Sequence, residues 1–204
     1  VEALNLKDIN RMKRGNTKLY NMFIFDLPTS VCSTSCVGCY AKKAERMYGN
    51  TVNWRNLNLD VASDTKVFKK LIGLQLNSEI DLKKNKIRVV RLHSSGDFFS
   101  QLYINTWSEI IKKFSHFKFF AFTKVLNKFD FSGLTKLNNF NLIDSYITID
   151  EKKYLNYGSL DYIDKLQAMD NELFLCPATT DSAVKCNKDC TYCQTNNKVL
   201  FKQH

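Results

Sequence analysis

The sequence predicts an α/β fold: a partial (β/α) barrel of five or six mainly parallel strands with a cysteine-rich C-terminal tail. Apolar runs of strand length alternate with stretches of helical periodicity, the pattern of a parallel sheet with crossover helices. The predicted strands, spread over roughly 160 residues, fall short of the eight strands and about 250 residues of a closed (β/α)8 barrel. All seven cysteines fall in two short clusters, one after the first predicted strand and one near the end of the chain.

After a polar arm, "KLYNMFIF" (18–25) reads as a buried strand broken by "DLPTSVC". "YAKKAERMYG" follows as a short helix, with Ala41, Ala44 and Met47 on one side and Gly49 as its stop. Val67, Phe68, Leu71, Ile72 and Leu74 mark a second helix. "KIRVVRLH" (86–93) is the next strand and ends in the polar loop "SSGD". Trp107, Ile110, Ile111 and Phe114 fall at i, i+3, i+4 and i+7 of a helix. The alternation continues with strand "FKFFAFTK" (117–124), a weak helical piece at "SGLTKLNNF", strand "LIDSYITI" (142–149), helix "SLDYIDKLQAM" and strand "ELFLC" (172–176). "KVLF" is a short last strand. Residues 1–175 form an arm and the partial barrel, and 176–204 a metal-binding tail packed on it within one domain. Chemistry in such sheets collects at the carboxyl ends of the strands, so both cysteine groups, the 93–97 loop, Thr123, Lys124 and Asp150 are expected on one rim.

A chain of 204 residues can bury a core without covalent staples. Cysteines three or four residues apart rarely reach disulfide geometry, so a reducing cytoplasm is the expected compartment. No run approaches the ~20 apolar residues of a membrane span, and the start lacks the apolar core of a signal peptide. The net charge of +10 allows phosphate-bearing partners, although the basic residues are spread along the chain.

Thiolates bind soft or borderline metals, chiefly zinc and iron–sulfur clusters. Cys32, Cys36 and Cys39 follow C-x3-C-x2-C; Cys186, Cys190 and Cys193 repeat it, with Cys176 as a fourth thiol. A structural zinc wants four ligands, so the first set would need one more, with His93 best placed. A four-iron cubane on three thiolates instead leaves one iron open, which suits binding of a cofactor or substrate. The tail can close a site alone, either as an auxiliary 4Fe–4S cluster or as zinc. The simpler alternatives are structural: a hydrogen-bonded His93, Asp97 capping the helix that begins near Ser100, and Lys124 as a surface lysine.

The first cysteine set, on a loop after a strand, resembles the signature of radical S-adenosylmethionine enzymes, which carry it on a partial (β/α)6 barrel. The resemblance implies that Cys32, Cys36 and Cys39 hold a 4Fe–4S cluster whose open iron chelates S-adenosylmethionine. One-electron cleavage to a 5'-deoxyadenosyl radical and a donor such as flavodoxin or ferredoxin are implied with it. "SSGD" (94–97) stands where those enzymes carry a Gly-Gly-Glu-Pro-like stretch, making Ser95, Gly96 and Asp97 candidate cofactor contacts. The aromatic residue that usually precedes the third cysteine is Gly38 here, with Tyr40 just after the set instead. The stretches "CVGCYAKKAERMY", "RLHSSGDFFSQLYINTW" and "FKFFAFTK", and the terminal cysteine pattern, resemble phage and plasmid proteins known as gene product 88. That likeness covers most of the chain and bears on architecture more than on reaction. The leading expectation is a radical S-adenosylmethionine-like enzyme acting on a small molecule or nucleic acid. The alternative is a non-enzymatic, iron–sulfur- or zinc-stabilised nucleic-acid-binding protein.

Overall fold

The computed structural model describes residues 11–33, 39–81 and 87–202, so Cys36 and Gly38 lie outside the described residues. A five-stranded sheet runs in the order β1 (Lys13–Arg14), β2 (Phe23–Phe25), β3 (Val89–Leu92), β4 (Lys118–Thr123), β5 (Phe140–Asp144). β1 is antiparallel to β2, and the remaining neighbours are parallel. Helices α1 (Tyr40–Met47), α2 (Gly49–Ser63) and α3 (Thr65–Asp81) connect β2 to β3; α4 (Gln101–Lys113) and α5 (Ser132–Thr135) make the next two crossovers.

Strand periodicity divides the sheet into two apolar faces. Phe23, Phe25, Val90, Leu92, Phe119, Ala121 and Leu142 join Phe68, Ile72, Tyr103, Ile104 and Trp107 in the helix-side core. Met22, Ile24, Val89, Phe120 and Ile143 project to the other face, where Cys176, Ala178 and Val199 of the tail cover them. Such two-sided burial accounts for the nearly continuous apolar runs of these strands.

Helices α3 and α4 are each started by a polar side chain, whereas α1 and α2 begin at Cys39 and Tyr48 without a side-chain cap. Ser100 Oγ accepts from Tyr103 N at 3.2 Å to begin α4, and Asp64 accepts from Lys66 N and Val67 N at 3.0 and 3.1 Å ahead of α3. The α4 cap is therefore Ser100 and not Asp97. Helix α2 was not foreseen, because its buried positions Arg55, Asn58 and Ala62 have helical spacing but two of them, Arg55 and Asn58, are polar. Gly49 opens that helix, and the stop expected there falls at Tyr48.

The βα repeat ends after β5. The expected strand 142–149 divides at Ser145, and β6 (Tyr146–Ile149) pairs antiparallel with β7 (Lys152–Leu155) across Asp150 and Glu151. Both turn residues have positive φ, 46° and 64°, as a two-residue hairpin turn requires. Asp150 therefore sits exposed at a hairpin tip and not on the rim. β8 (Tyr157–Gly158), α6 (Leu160–Met169), β9 (Phe174–Leu175), α7 (Pro177–Thr180) and β10 (Val199–Lys202) follow, with β10 between β8 and β9 and parallel to both. β9 thus belongs to a separate three-stranded sheet, so Cys176 does not continue the rim of the first sheet. Hydrogen bonds from Ser145 N to Thr123 O (2.8 Å), Asn156 N to Ser145 O (3.0 Å) and Phe201 N to Asn156 O (2.7 Å) link the two sheets through the hairpin. The result is a mixed α/β fold around a mainly parallel sheet, with no closed barrel among the described strands. Among the described residues, no helix is long and apolar enough to cross a membrane.

Candidate metal centre

The loop that carries the first cysteines leaves β2 through Asp26, Leu27 and Pro28. Asp26 is 2% exposed and pairs with Lys13. It accepts from Ser94 Oγ at 2.5 Å and from Ser95 N at 3.0 Å. Burial alone would raise its carboxyl, but the Lys13 ammonium and these hydrogen bonds hold it below the ordinary value. Its carbonyl accepts from Asn58 Nδ2 at 2.9 Å. Glu45 of α1 anchors the next turn: its carboxylate accepts from Thr29 N (2.9 Å), Thr29 Oγ1 (2.5 Å) and Arg55 Nη1 (3.0 Å). Burial raises Glu45 as well, and the Thr29 and Arg55 contacts outweigh it. Cys32 follows this turn and Cys39 is the N-cap of α1, so the set's described members flank residues 34–38. Cys36 lies outside the described residues.

The "SSGD" loop is fastened to the same segment. His93 N donates to Phe25 O at 2.8 Å, and Leu27 N to Ser95 O at 3.0 Å. Gly96 has φ 80°, and a Cβ there would approach Leu27 Cβ to 2.5 Å, so the close approach requires glycine. Asp97 is committed internally: Oδ1 accepts from Phe98 N (2.8 Å) and Thr123 Oγ1 (2.7 Å), Oδ2 from Lys124 N (2.9 Å). It staples the end of β3 to that of β4, with burial raising its carboxyl despite those bonds. Ser95 is 4% exposed, and its Oγ has no hydrogen-bond partner. Tyr40 donates its hydroxyl to the Ser94 carbonyl while its ring stays exposed. His93 packs on Phe98 and places Nε2 2.8 Å from Tyr103 Oη. Burial depresses it to about 3, so it is a neutral structural imidazole, and completing a zinc site with it would empty a core position. Lys124 Nζ stands 5.4 Å from the Tyr157 ring centroid, between the two sheets.

The tail gathers its thiols on the sheet face opposite the helices. Cys176 caps α7, and its N–H donates to Leu200 O at 2.9 Å. Cys186 N donates to Lys18 O (2.8 Å), Tyr20 N donates to Cys186 O (3.1 Å), and Asn187 N closes the Cys186–Cys190 loop onto Cys190 O (2.8 Å). Asn187, at φ 67°, fixes this loop through Nδ2 to Tyr20 O (3.1 Å) and Asn21 O (3.0 Å) and accepts from Gln194 Nε2 at 2.9 Å. Cys193 lies on the turn Tyr192–Gln194, and its carbonyl accepts from Asn141 Nδ2 of β5 at 3.0 Å.

The thiols of Cys176 and Cys186 hydrogen-bond to each other, which lowers Cys186 and raises Cys176, and Arg91 and Lys18 add to the lowering. Cys193, pushed up to about 12 by burial, lies within electrostatic reach of Cys186 and Cys190. Among the described residues, no cysteine is joined in a disulfide. Among the described residues, no three His, Cys, Asp or Glu side chains are arranged to hold a metal ion. In donor chemistry alone the tail fits one: four thiols match in number and type what zinc or a cubane cluster would take, and Cys176, Cys186, Cys190 and Cys193 would be its ligands.

Sequence reasoning missed the supporting shell of Asp26, Glu45, Arg55 and Asn58, and it missed Arg91. Arg91 projects from β3 to the thiol-bearing face, with its guanidinium 5.3 Å from the Phe122 ring. An arginine flanked by Val90 and Leu92 inside the run "IRVVRL" was the available signal.

The chain is similar to the Gene 88 protein of Mycobacterium phage D29, at 28% identity over 116 residues, 56% of this chain and 48% of that protein. It is also similar to the Gene 88 protein of Mycobacterium phage L5, at 24% identity over the same shares. The alignment spans about half the length of these curated relatives. No solved structure matches at a significant level. The Gene product 88 family matches residues 4–199, and the chain belongs to that family.

Proposed function

We propose that the chain is an iron–sulfur protein of radical S-adenosylmethionine type, with Cys32, Cys36 and Cys39 around an open cluster and Cys176, Cys186, Cys190 and Cys193 around a second centre. The observation that carries the reading is that Cys32 and Cys39, the two described members of C-x3-C-x2-C, follow the carboxyl end of the first parallel strand, in a segment tied to the loop 94–97 through Leu27 and Tyr40. Three thiolates leave one iron available to an exogenous ligand, and four close a site. When bound, a reduced cluster with S-adenosylmethionine supplies reductive carbon–sulfur cleavage to a 5'-deoxyadenosyl radical, with electrons from a flavodoxin- or ferredoxin-like donor.

The chain's own residues hold and shape the place. Asp26, Glu45 and Arg55 hold the cysteine loop, while Gly96 and Asp97 set the neighbouring loop against it. The unpartnered Ser95 Oγ is a polar contact for the cofactor. Asp97 acts through position, because its oxygens already serve Phe98, Thr123 and Lys124. Zinc is the alternative occupant of the tail. Reduced, anaerobically reconstituted protein should cleave S-adenosylmethionine to 5'-deoxyadenosine and methionine, as measured by liquid chromatography. An intact, reducible cluster that yields no 5'-deoxyadenosine at saturating cofactor rejects this reading.

A second reading is a metal-stabilised nucleic-acid-binding protein. It is favoured by the docking of the Cys186–Cys190 loop on residues 18–21, which sets Lys188 Nζ 6.0 Å from the centroid of the exposed Tyr20 ring. Cations beside an exposed aromatic suit a single strand. Salt-sensitive binding of a single-stranded oligonucleotide, weakened by Tyr20→Ala, would support it, and binding unchanged by that substitution would oppose it.

A further inference from the structure

We infer that Arg91 is the counter-cation of the four-thiol site in the tail, supplying it with positive charge and an N–H donor. The inference rests on the reading of the tail as a metal centre.

The register fixes where Arg91 lies. It pairs with Ile24 of β2 and Phe120 of β4, and alternation sends its side chain to the face that Cys176, Cys186 and Cys193 cover. There the guanidinium stands over Phe122 at 5.3 Å, and Nε is buried without a hydrogen-bond partner. Among the described residues, Arg91 forms no ion pair with a carboxylate, unlike Lys13, Arg55, Lys69 and Lys198. An arginine does not shed its proton in a protein. A permanent cation held against an apolar face, with an unused N–H, needs an anionic acceptor.

A loaded tail is that acceptor. Four thiolates around zinc, or around a cubane of charge 2+, carry two net negative charges. Met22, Ile24, Val89, Phe120 and Ile143, all under 10% exposed, form the apolar floor beneath them, and an uncompensated anion is costly there. A guanidinium within electrostatic reach of Cys186 and Cys193 offsets that charge. An N–H donated to sulfur also satisfies Nε, so the protein's cost falls on the empty state and is relieved on loading. Partners of this kind outside the ligand shell typically contribute about 10–100-fold in metal affinity.

The test uses the full chain with Cys32→Ser, Cys36→Ser and Cys39→Ser, so that zinc added to the reduced protein titrates the tail alone. Zinc affinity is read by competition with a chromophoric chelator. Arg91→Gln should weaken it by about 10-fold or more, and Arg91→Lys, which keeps the charge, should restore most of the loss. Thermal melts of the zinc-free proteins show whether the fold survives. If Arg91→Gln does not fold, Arg91→Met, which keeps the length and apolar stem, takes its place. Affinity unchanged to within about twofold in the uncharged variant, against that expected loss, overturns the inference while leaving the metal centre standing. Loss to the same extent in Arg91→Lys overturns it too, since packing rather than charge would then be responsible. If Cys190→Ser binds zinc as tightly as the parent, the tail is not the site, and both readings fail.

Discussion

Two residues that the sequence offers as candidates for chemistry are also tied into the fold. His93 is buried and neutral, with a folded value of about 3 against ~6.5 for a free imidazole. The unfolded chain therefore takes up the proton first. Stability is intact above pH 6.5 and falls below it, by roughly 2 kcal/mol at pH 5. Asp97, raised by burial, acts with the opposite sign, so the difference between variants isolates the histidine. His93→Asn, which tolerates φ 61°, should flatten the stability–pH curve between pH 7 and 5 in urea melts, and an unchanged slope would contradict the burial argument. Gly96→Ala meets both a positive φ and the Leu27 side chain. It should cost about 2 kcal/mol or more by the same measurement.

At the scale of elements, the parallel strands and α4 were legible because their apolar residues repeat at the periods of strand and helix. Their alternate faces then place the two cores. Helix α2 was not legible: burying Arg55 and Asn58 reverses the usual polarity of a helix face, and their partners Glu45, Ala41 and Asp26 are remote in sequence. The β6–β7 hairpin was hidden because Asp150-Glu151 is a poor sequence for a turn with two positive φ values. Asp150→Asn with Glu151→Gly should therefore stabilise the protein, by about 0.5–1 kcal/mol. A loss of stability in a urea melt would argue against this turn geometry. The cysteine spacing announced two metal-type sets, but their placement needed the topology. β9 joins β10 instead of β5, so the tail thiols lie over the sheet face and not on its rim.

For the whole molecule, the tail is part of the architecture. It covers Met22, Ile24, Phe120 and Ile143, contributes β10 to the second sheet, and is tied to residues 18–21 through Cys186 and Asn187. Metal binding at its thiols, as proposed above, would consequently be coupled to folding. Cys190→Ser should lower both metal content and melting temperature, whereas an unchanged melt of the loaded protein would show the tail to be indifferent to metal. The central claim is two thiol-held iron–sulfur centres on one sheet, and the most direct measurement is iron, sulfide and zinc analysis of anaerobically reconstituted protein. The account predicts about eight irons and eight sulfides per chain, falling to about four of each in Cys36→Ala with the fold retained. Zinc without acid-labile sulfide, or an iron content unaffected by Cys36→Ala, would contradict it.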